Sequence, residues 1–141
     1  MITVQPQAAA DLSAHATAAY PDECCGALIG SNGPVGRLVT DAMALANSAG
    51  EVSHRFTVGA EEYRKAEAHA RDSGLSLLGF YHSHPDAPAQ PSQYDLSQAW
   101  PNFDYIIVSV RKGTPADITC WRLLDDRSAF DSEEMTWPTA F

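Results

Sequence analysis

The chain has 141 residues, with nine Lys and Arg against eighteen Asp and Glu, for a formal net charge of −9. That length fits one domain able to bury a core, and the acidic balance argues against a nucleic-acid surface, which would need a basic patch. No run of eighteen apolar residues occurs, so no membrane-spanning helix is expected.

The opening residues, MITVQPQAAADL, lack the basic stretch of a secretory leader, and a cytoplasmic location is the expectation. Gln7 to Tyr20 is Ala-rich and predicts a first helix, ended by Pro21. Cys24 to Gly30 predicts a strand, with one of the adjacent thiols Cys24 and Cys25 toward the core and the other facing away. Burial is the easier role for both, ahead of nucleophile or extra ligand. Cys120 is remote and no C-x-x-C spacing occurs. That pattern argues against a disulfide framework and for a reducing compartment. Ser31-Asn32-Gly33-Pro34 is a strong turn signal, and Val35 to Leu45 is the expected hairpin partner. Residues 47 to 55 read as a polar loop and Phe56-Thr57-Val58 as a brief strand. Gly59 to Ser73 predicts a charged helix with Tyr63, Ala66 and Ala70 inward.

Leu75 to Tyr81 (LSLLGFY) fits a buried strand. Continued onward, that strand points His82 and His84 to one face and Ser83 to the other. Pro85 ends the ladder because it has no N–H, and Pro88 and Pro91 stiffen the following loop. Pro91-Ser92 reads as a helix entry, with Ser92 at the N-cap, Asp95 in the first turn and the helix running to about Trp100. Such a loop folds the helix end back over the strand end and brings Asp95 toward the histidines. Two imidazoles and a carboxylate are the ligand set of a catalytic zinc with one open position. Taken singly, Ser92-x-x-Asp95 is an ordinary capping box, and an H-x-H pair is as often a core or surface pair. Their coincidence across a short Pro-rich loop points to a metal. His15, His54 and His69 are read as bystanders.

Tyr105 to Val110 (YIIVSV) is almost continuously apolar and predicts a central strand. Lys112-Gly113-Thr114-Pro115 joins it to a further strand at Ile118 to Leu124. The tail from Asp125 carries five acids and one Arg before Met135, and reads as a solvated edge. With helices before, between and beside the strands, the expected fold class is α/β, a mixed β-sheet sandwiched by helices in a single domain, 1–141.

His82-Ser83-His84-Pro85, six residues, then Ser92-x-x-Asp95 resembles the metalloprotease motif of the JAMM family (MPN+ or JAB1-type domains). The family's upstream pattern E-x-C-G-x-L-x-G is matched within PDECCGALIG by Glu23, Cys25, Gly26, Leu28 and Gly30. The segments at Asn47 (N-S-A-G) and Arg55 (R-F-T-V) are similar to the family's middle region, and the likeness covers about residues 5 to 125. The resemblance implies a sheet like that of the cytidine deaminases. It further implies one Zn2+ held by His82, His84 and Asp95, a catalytic Glu23 that deprotonates the attacking water, and a Ser92 that stabilises the oxyanion. The implied reaction is hydrolysis of the amide bond after the C-terminal Gly-Gly of a ubiquitin-like or sulfur-carrier protein, with cysteine a candidate leaving group. The short chain matches the compact prokaryotic branch. The implied partner is that carrier, with neither nucleic acid nor membrane, and a homodimer is a candidate assembly. A non-catalytic MPN-type scaffold is the alternative, although such domains usually lack the histidines or the aspartate. A zinc deaminase would carry H-x-E and P-C-x-x-C, and neither is present.

Overall fold

The computed structural model describes residues 1–47 and 58–138. In chain order the elements are β1 (Ile2–Val4), α1 (Pro6–Ala19), β2 (Cys25–Gly33), β3 (Gly36–Leu45), α2 (Ala60–Asp72), β4 (Ser76–Pro85), α3 (Gln93–Gln98), β5 (Asp104–Arg111), β6 (Thr114–Leu123), β7 (Phe130–Ser132) and β8 (Met135–Thr136). The predicted loop at 47–55 and strand at Phe56–Val58 lie outside the described residues, except for Asn47 and Val58, which are in neither helix nor strand; His54 lies outside them as well.

One mixed sheet runs in the order β7-β6-β5-β4-β2-β3-β1-β8. β4 pairs with β5 in parallel, and β1 pairs in parallel with both β3 and β8. The remaining pairs are antiparallel. β5 is interior, as its apolar run predicts. Helix α1 starts with Pro6 in its first turn, where a missing N–H costs nothing, and presents Ala8, Ala9, Leu12 and Ala16 to one face of the sheet. Helix α2 covers the other face with Ala66, Ala70 and Tyr63, as its pattern predicts.

The tail lies at the margins of the sheet with its acids largely exposed, as expected, but it is also paired there. β7 joins β6 at one margin of the sheet, while β8, two residues later, joins β1 at the other. Flat, eight strands would hold those margins ~34 Å apart, but the step from Ser132 to Met135 spans at most ~11 Å. The sheet therefore curls around α1, and the tail closes the seam. Phe130 packs on the α2 side, and Met135 and Trp137 on the α1 side. The acids between these apolar residues hide that pattern from a composition-based reading.

Smaller differences also have physical causes. β1 is only three residues long, too short for periodicity to reveal. The β2–β3 turn is confined to Pro34-Val35, because Ser31 to Gly33 still pair with β3. The β5–β6 link is a two-residue turn at Lys112 (φ 51°) and Gly113 (φ 82°), so Thr114 and Pro115 already belong to β6. α3 stops at Gln98 instead of Trp100, since Trp100 precedes Pro101 and that position disfavours helical backbone. Cys24 and Cys25 do take opposite faces, but both faces are covered and both thiols are buried.

A bulge sets the phase of the motif strand. Leu28 pairs with Gly79 and Ile29 with Leu77, so Leu78 is the extra residue. Leu77 and Phe80 consequently share the α2 face, and His82 and His84 stay in phase with Phe80. Gly79 permits the close approach of β4 to β5: a Cβ there would lie 1.8 Å from the Asp104 carbonyl oxygen. Gly79→Ala is expected to cost at least the upper end of the ~1–3 kcal/mol typical of overpacking, read as a lowered melting temperature.

Candidate metal centre

β4 delivers both histidines to one face, and the Pro-rich loop turns α3 back onto them. The His82 and His84 Nε2 atoms lie 3.1 Å apart, and Asp95 Oδ2 is 3.2 Å from the first and 3.1 Å from the second. Asp95 is placed by a complete capping box: its amide donates to Ser92 Oγ (3.0 Å), and its Oδ2 accepts from the Ser92 amide (2.9 Å). The cap and the approach to the histidines are thus two uses of one side chain. Glu23 precedes β2, and its carboxylate joins both imidazoles in a cluster spanning no more than 4.8 Å that could hold a metal ion. Glu23, His82, His84 and Asp95 are 7%, 1%, 9% and 5% exposed. Ser92 is exposed at the mouth of a groove of about 450 Å³, also lined by Glu23, His84, Pro88 and Pro91. All five expected residues therefore meet in one place.

The donor set fits a small divalent ion. His84 Nδ1 lies 2.8 Å from the Pro88 carbonyl, which can only accept, so the neutral ring carries its proton there and leaves the Nε2 lone pair toward Asp95 and His82. Three electron-rich atoms then face one point, and their mutual 3.1–3.2 Å spacing approaches the ~3.3 Å edge of a tetrahedron with ~2.0 Å bonds. A cation at that point lets them coexist. With no cation at that point, imidazole protons take its place between the rings and Asp95. Burial lowers the pKa of His82. For His84 burial acts the same way, but its bonds to Asp95 and Pro88 and the nearby carboxylates outweigh it and leave the pKa raised. Burial would raise the pKa of Asp95, yet the bonds from both histidines hold it far below the carboxylate range.

Glu23 moves the other way. Burial, with Asp95 reinforcing it against the opposing pull of His84, pushes its pKa up to about 7 from an ordinary 4.5. A carboxyl with that shift takes up a proton on folding between those values, so its contribution to stability falls as pH rises through the window. In the metal-free protein Glu23→Gln is expected to raise stability at pH 8 by up to about 3 kcal/mol. The gain should shrink toward pH 5, as thermal melting at the two pH values would show.

The bystander histidines lie elsewhere among the described residues. His15 shares a 2.6 Å hydrogen bond with Tyr81, on the α1 face, and His69 is exposed on α2. Ser83 has a use that sequence reasoning missed. It points to the α1 face, and its Oγ accepts from the Cys24 amide (2.9 Å) while its own amide donates to the Cys24 carbonyl (3.1 Å). That pair fixes the backbone carrying Glu23 against the histidine strand. Ser109 and Thr119 were also missed; their only signal is a hydroxyl residue inside a mostly apolar strand.

The comparisons with known proteins agree with this geometry. The family model described as prokaryotic homologs of the JAB domain matches residues 5–124. A desampylase of Haloferax volcanii is 36% identical over 90 residues, covering 63% of this chain and 63% of that protein. The tail tip assembly protein K of Escherichia phage N15 is 30% identical over 132 residues, covering 80% of this chain and 50% of that protein. The chain thus spans between half and two thirds of the length of these relatives. A solved protein of Desulfitobacterium hafniense superposes with a TM-score of 0.83 at 31% identity, covering 96% of this chain and 91% of that one. With the family model spanning most of its length over the same curled mixed sheet, the chain belongs to the prokaryotic JAB-domain family, within the JAB1/MPN and JAMM fold.

Proposed function

We propose that this chain is a zinc-dependent peptidase that hydrolyses the amide bond after the C-terminal Gly-Gly of a ubiquitin-like or sulfur-carrier protein, with cysteine as one leaving amine. The observation that carries the reading is the convergence of His82 Nε2, His84 Nε2 and Asp95 Oδ2 to within 3.2 Å beside a buried Glu23. The likeness to a desampylase supports a ubiquitin-like substrate, and the three free buried thiols suit a cytoplasmic setting. A purely structural scaffold would have no need of this set of residues.

In this reading His82, His84 and Asp95 hold the ion, and Glu23 stays out of its coordination. When bound, zinc supplies a Lewis acid that makes a water nucleophilic near neutral pH and polarises the scissile carbonyl. In this reading an extended glycyl tail would lie in the groove lined by Glu23, Pro88 and Pro91. Glu23 takes a proton from the attacking water as the new C–O bond forms. It then hands that proton to the departing nitrogen as the C–N bond breaks. Ser92 Oγ accepts from the Asp95 amide, and its own hydrogen is left to donate to the oxyanion.

Ser92→Ala separates this role from capping. Loss of the cap alone costs about 1 kcal/mol and leaves turnover per folded molecule unchanged, whereas loss of an oxyanion donor lowers kcat by about 10²–10³. We expect the larger kinetic loss, read by steady-state kinetics beside thermal melting. The activity itself is tested by mass spectrometry of a carrier–cysteine adduct incubated with the zinc-loaded protein. Release of cysteine supports the reading; an unchanged adduct, or equal turnover by Glu23→Ala, contradicts it.

A further inference from the structure

We propose that Ser109 and Thr119 are positioning residues for this centre, which pin the Pro85–Pro91 loop as a fixed strap and thereby set the tautomer of His84. Three successive carbonyls of the loop each accept from a side chain rooted in the sheet. Ser109 Oγ donates to Ala87 (2.6 Å), His84 Nδ1 to Pro88 (2.8 Å) and Thr119 Oγ1 to Ala89 (2.6 Å). Trp121 Nε1 donates to Thr119 Oγ1 (2.8 Å), so the Thr119 hydroxyl proton is left to point at the loop.

The strands are shaped for this contact. Ser109 is fully buried and lies beside His84 in the parallel β4–β5 register. By alternation it faces away from Val108 and Val110, which pack on the α1 side, and so points to the face that carries His84. The start of the strap is tied as well. The Asp86 amide donates to the Val110 carbonyl (2.7 Å), and the Asp86 carboxylate accepts from the Lys112 amide (2.7 Å) and the Tyr20 hydroxyl (2.6 Å). With Ala87 and Ala89 held on either side, the Pro88 carbonyl has one place to stand. It keeps a proton on His84 Nδ1, so that the neutral ring has its Nε2 lone pair available to an ion. A strap held in this way forms a static wall of the substrate groove, not a gate.

The consequence for metal binding rests on the zinc reading above; the consequence for the imidazole does not. The test uses Ser109→Ala, Thr119→Val and their combination, with Thr119→Ser as the conservative rescue. Tyr105→Phe is the control, since it removes a hydroxyl that accepts from the Trp100 amide (2.6 Å) on a different loop. Ring 15N shifts of His84 in the metal-free protein at alkaline pH should show the Nδ1–H tautomer in wild type and Thr119→Ser, and a mixture in the double variant. Backbone relaxation of Asp86, Ala87 and Ala89 should match the rigid β4. Zinc affinity by chelator competition should fall about 10–100-fold in the double variant and stay unchanged in Tyr105→Phe.

A mobile loop in wild type overturns the proposal, as does a double variant with an unchanged tautomer, or a Tyr105→Phe loss of zinc affinity equal to that of the double variant. Should wild type bind no zinc, the peptidase reading falls, while the tautomer and relaxation results still decide the role of Ser109 and Thr119.

Discussion

Glu23→Gln is expected to lower turnover of a carrier adduct by about 10²–10⁴-fold while leaving zinc stoichiometry at wild-type level. The carboxylate is buried beside both imidazoles, where a base can take a proton from an attacking water and return it to the departing nitrogen. The amide isostere keeps the volume and removes only the proton acceptor. Paired measurement of kcat and bound zinc checks this. A variant that loses its metal would show Glu23 to be a ligand. The same substitution is expected to stabilise the metal-free protein at pH 8, so activity and stability should move in opposite directions, as they do where a site keeps a costly buried group for its chemistry.

The second large effect is expected from Asp95→Asn. Its side-chain oxygen can still accept from the Ser92 amide, so the capping box survives, but the negative charge facing His82 and His84 is gone. Zinc affinity should fall by more than the ~10–100-fold that loss of an outer partner costs, and activity at limiting zinc should fall with it. Chelator competition measures the first, and helix content by circular dichroism verifies the cap. Retained affinity with lost helix would leave Asp95 a cap and nothing more.

The core of the site was legible because it obeys local rules. Strand alternation put His82 and His84 together and Ser83 opposite, and the Ser92 cap put Asp95 in the first turn of α3. Glu23 came from the family resemblance, since PDE by itself is ordinary turn chemistry. What stayed hidden depends on contacts distant in sequence. The bulge at Leu78 is invisible in an apolar run, yet without it Phe80 would not share the face of Leu77. The tail reads as a string of acids, but Phe130, Met135 and Trp137 make it the seam of the curled sheet. Ser109 is a lone hydroxyl inside YIIVSV, and nothing local marks its role, because its partner, the Ala87 carbonyl, is twenty-two residues away.

Anomalous diffraction at the zinc edge from zinc-loaded crystals tests the account most directly. It predicts one peak bonded to His82 Nε2, His84 Nε2 and Asp95 Oδ2 at about 2.0–2.2 Å, with the Glu23 carboxylate nearby but unbonded. A peak bonded to Glu23 with Asp95 turned away, or no peak at these residues, would contradict it.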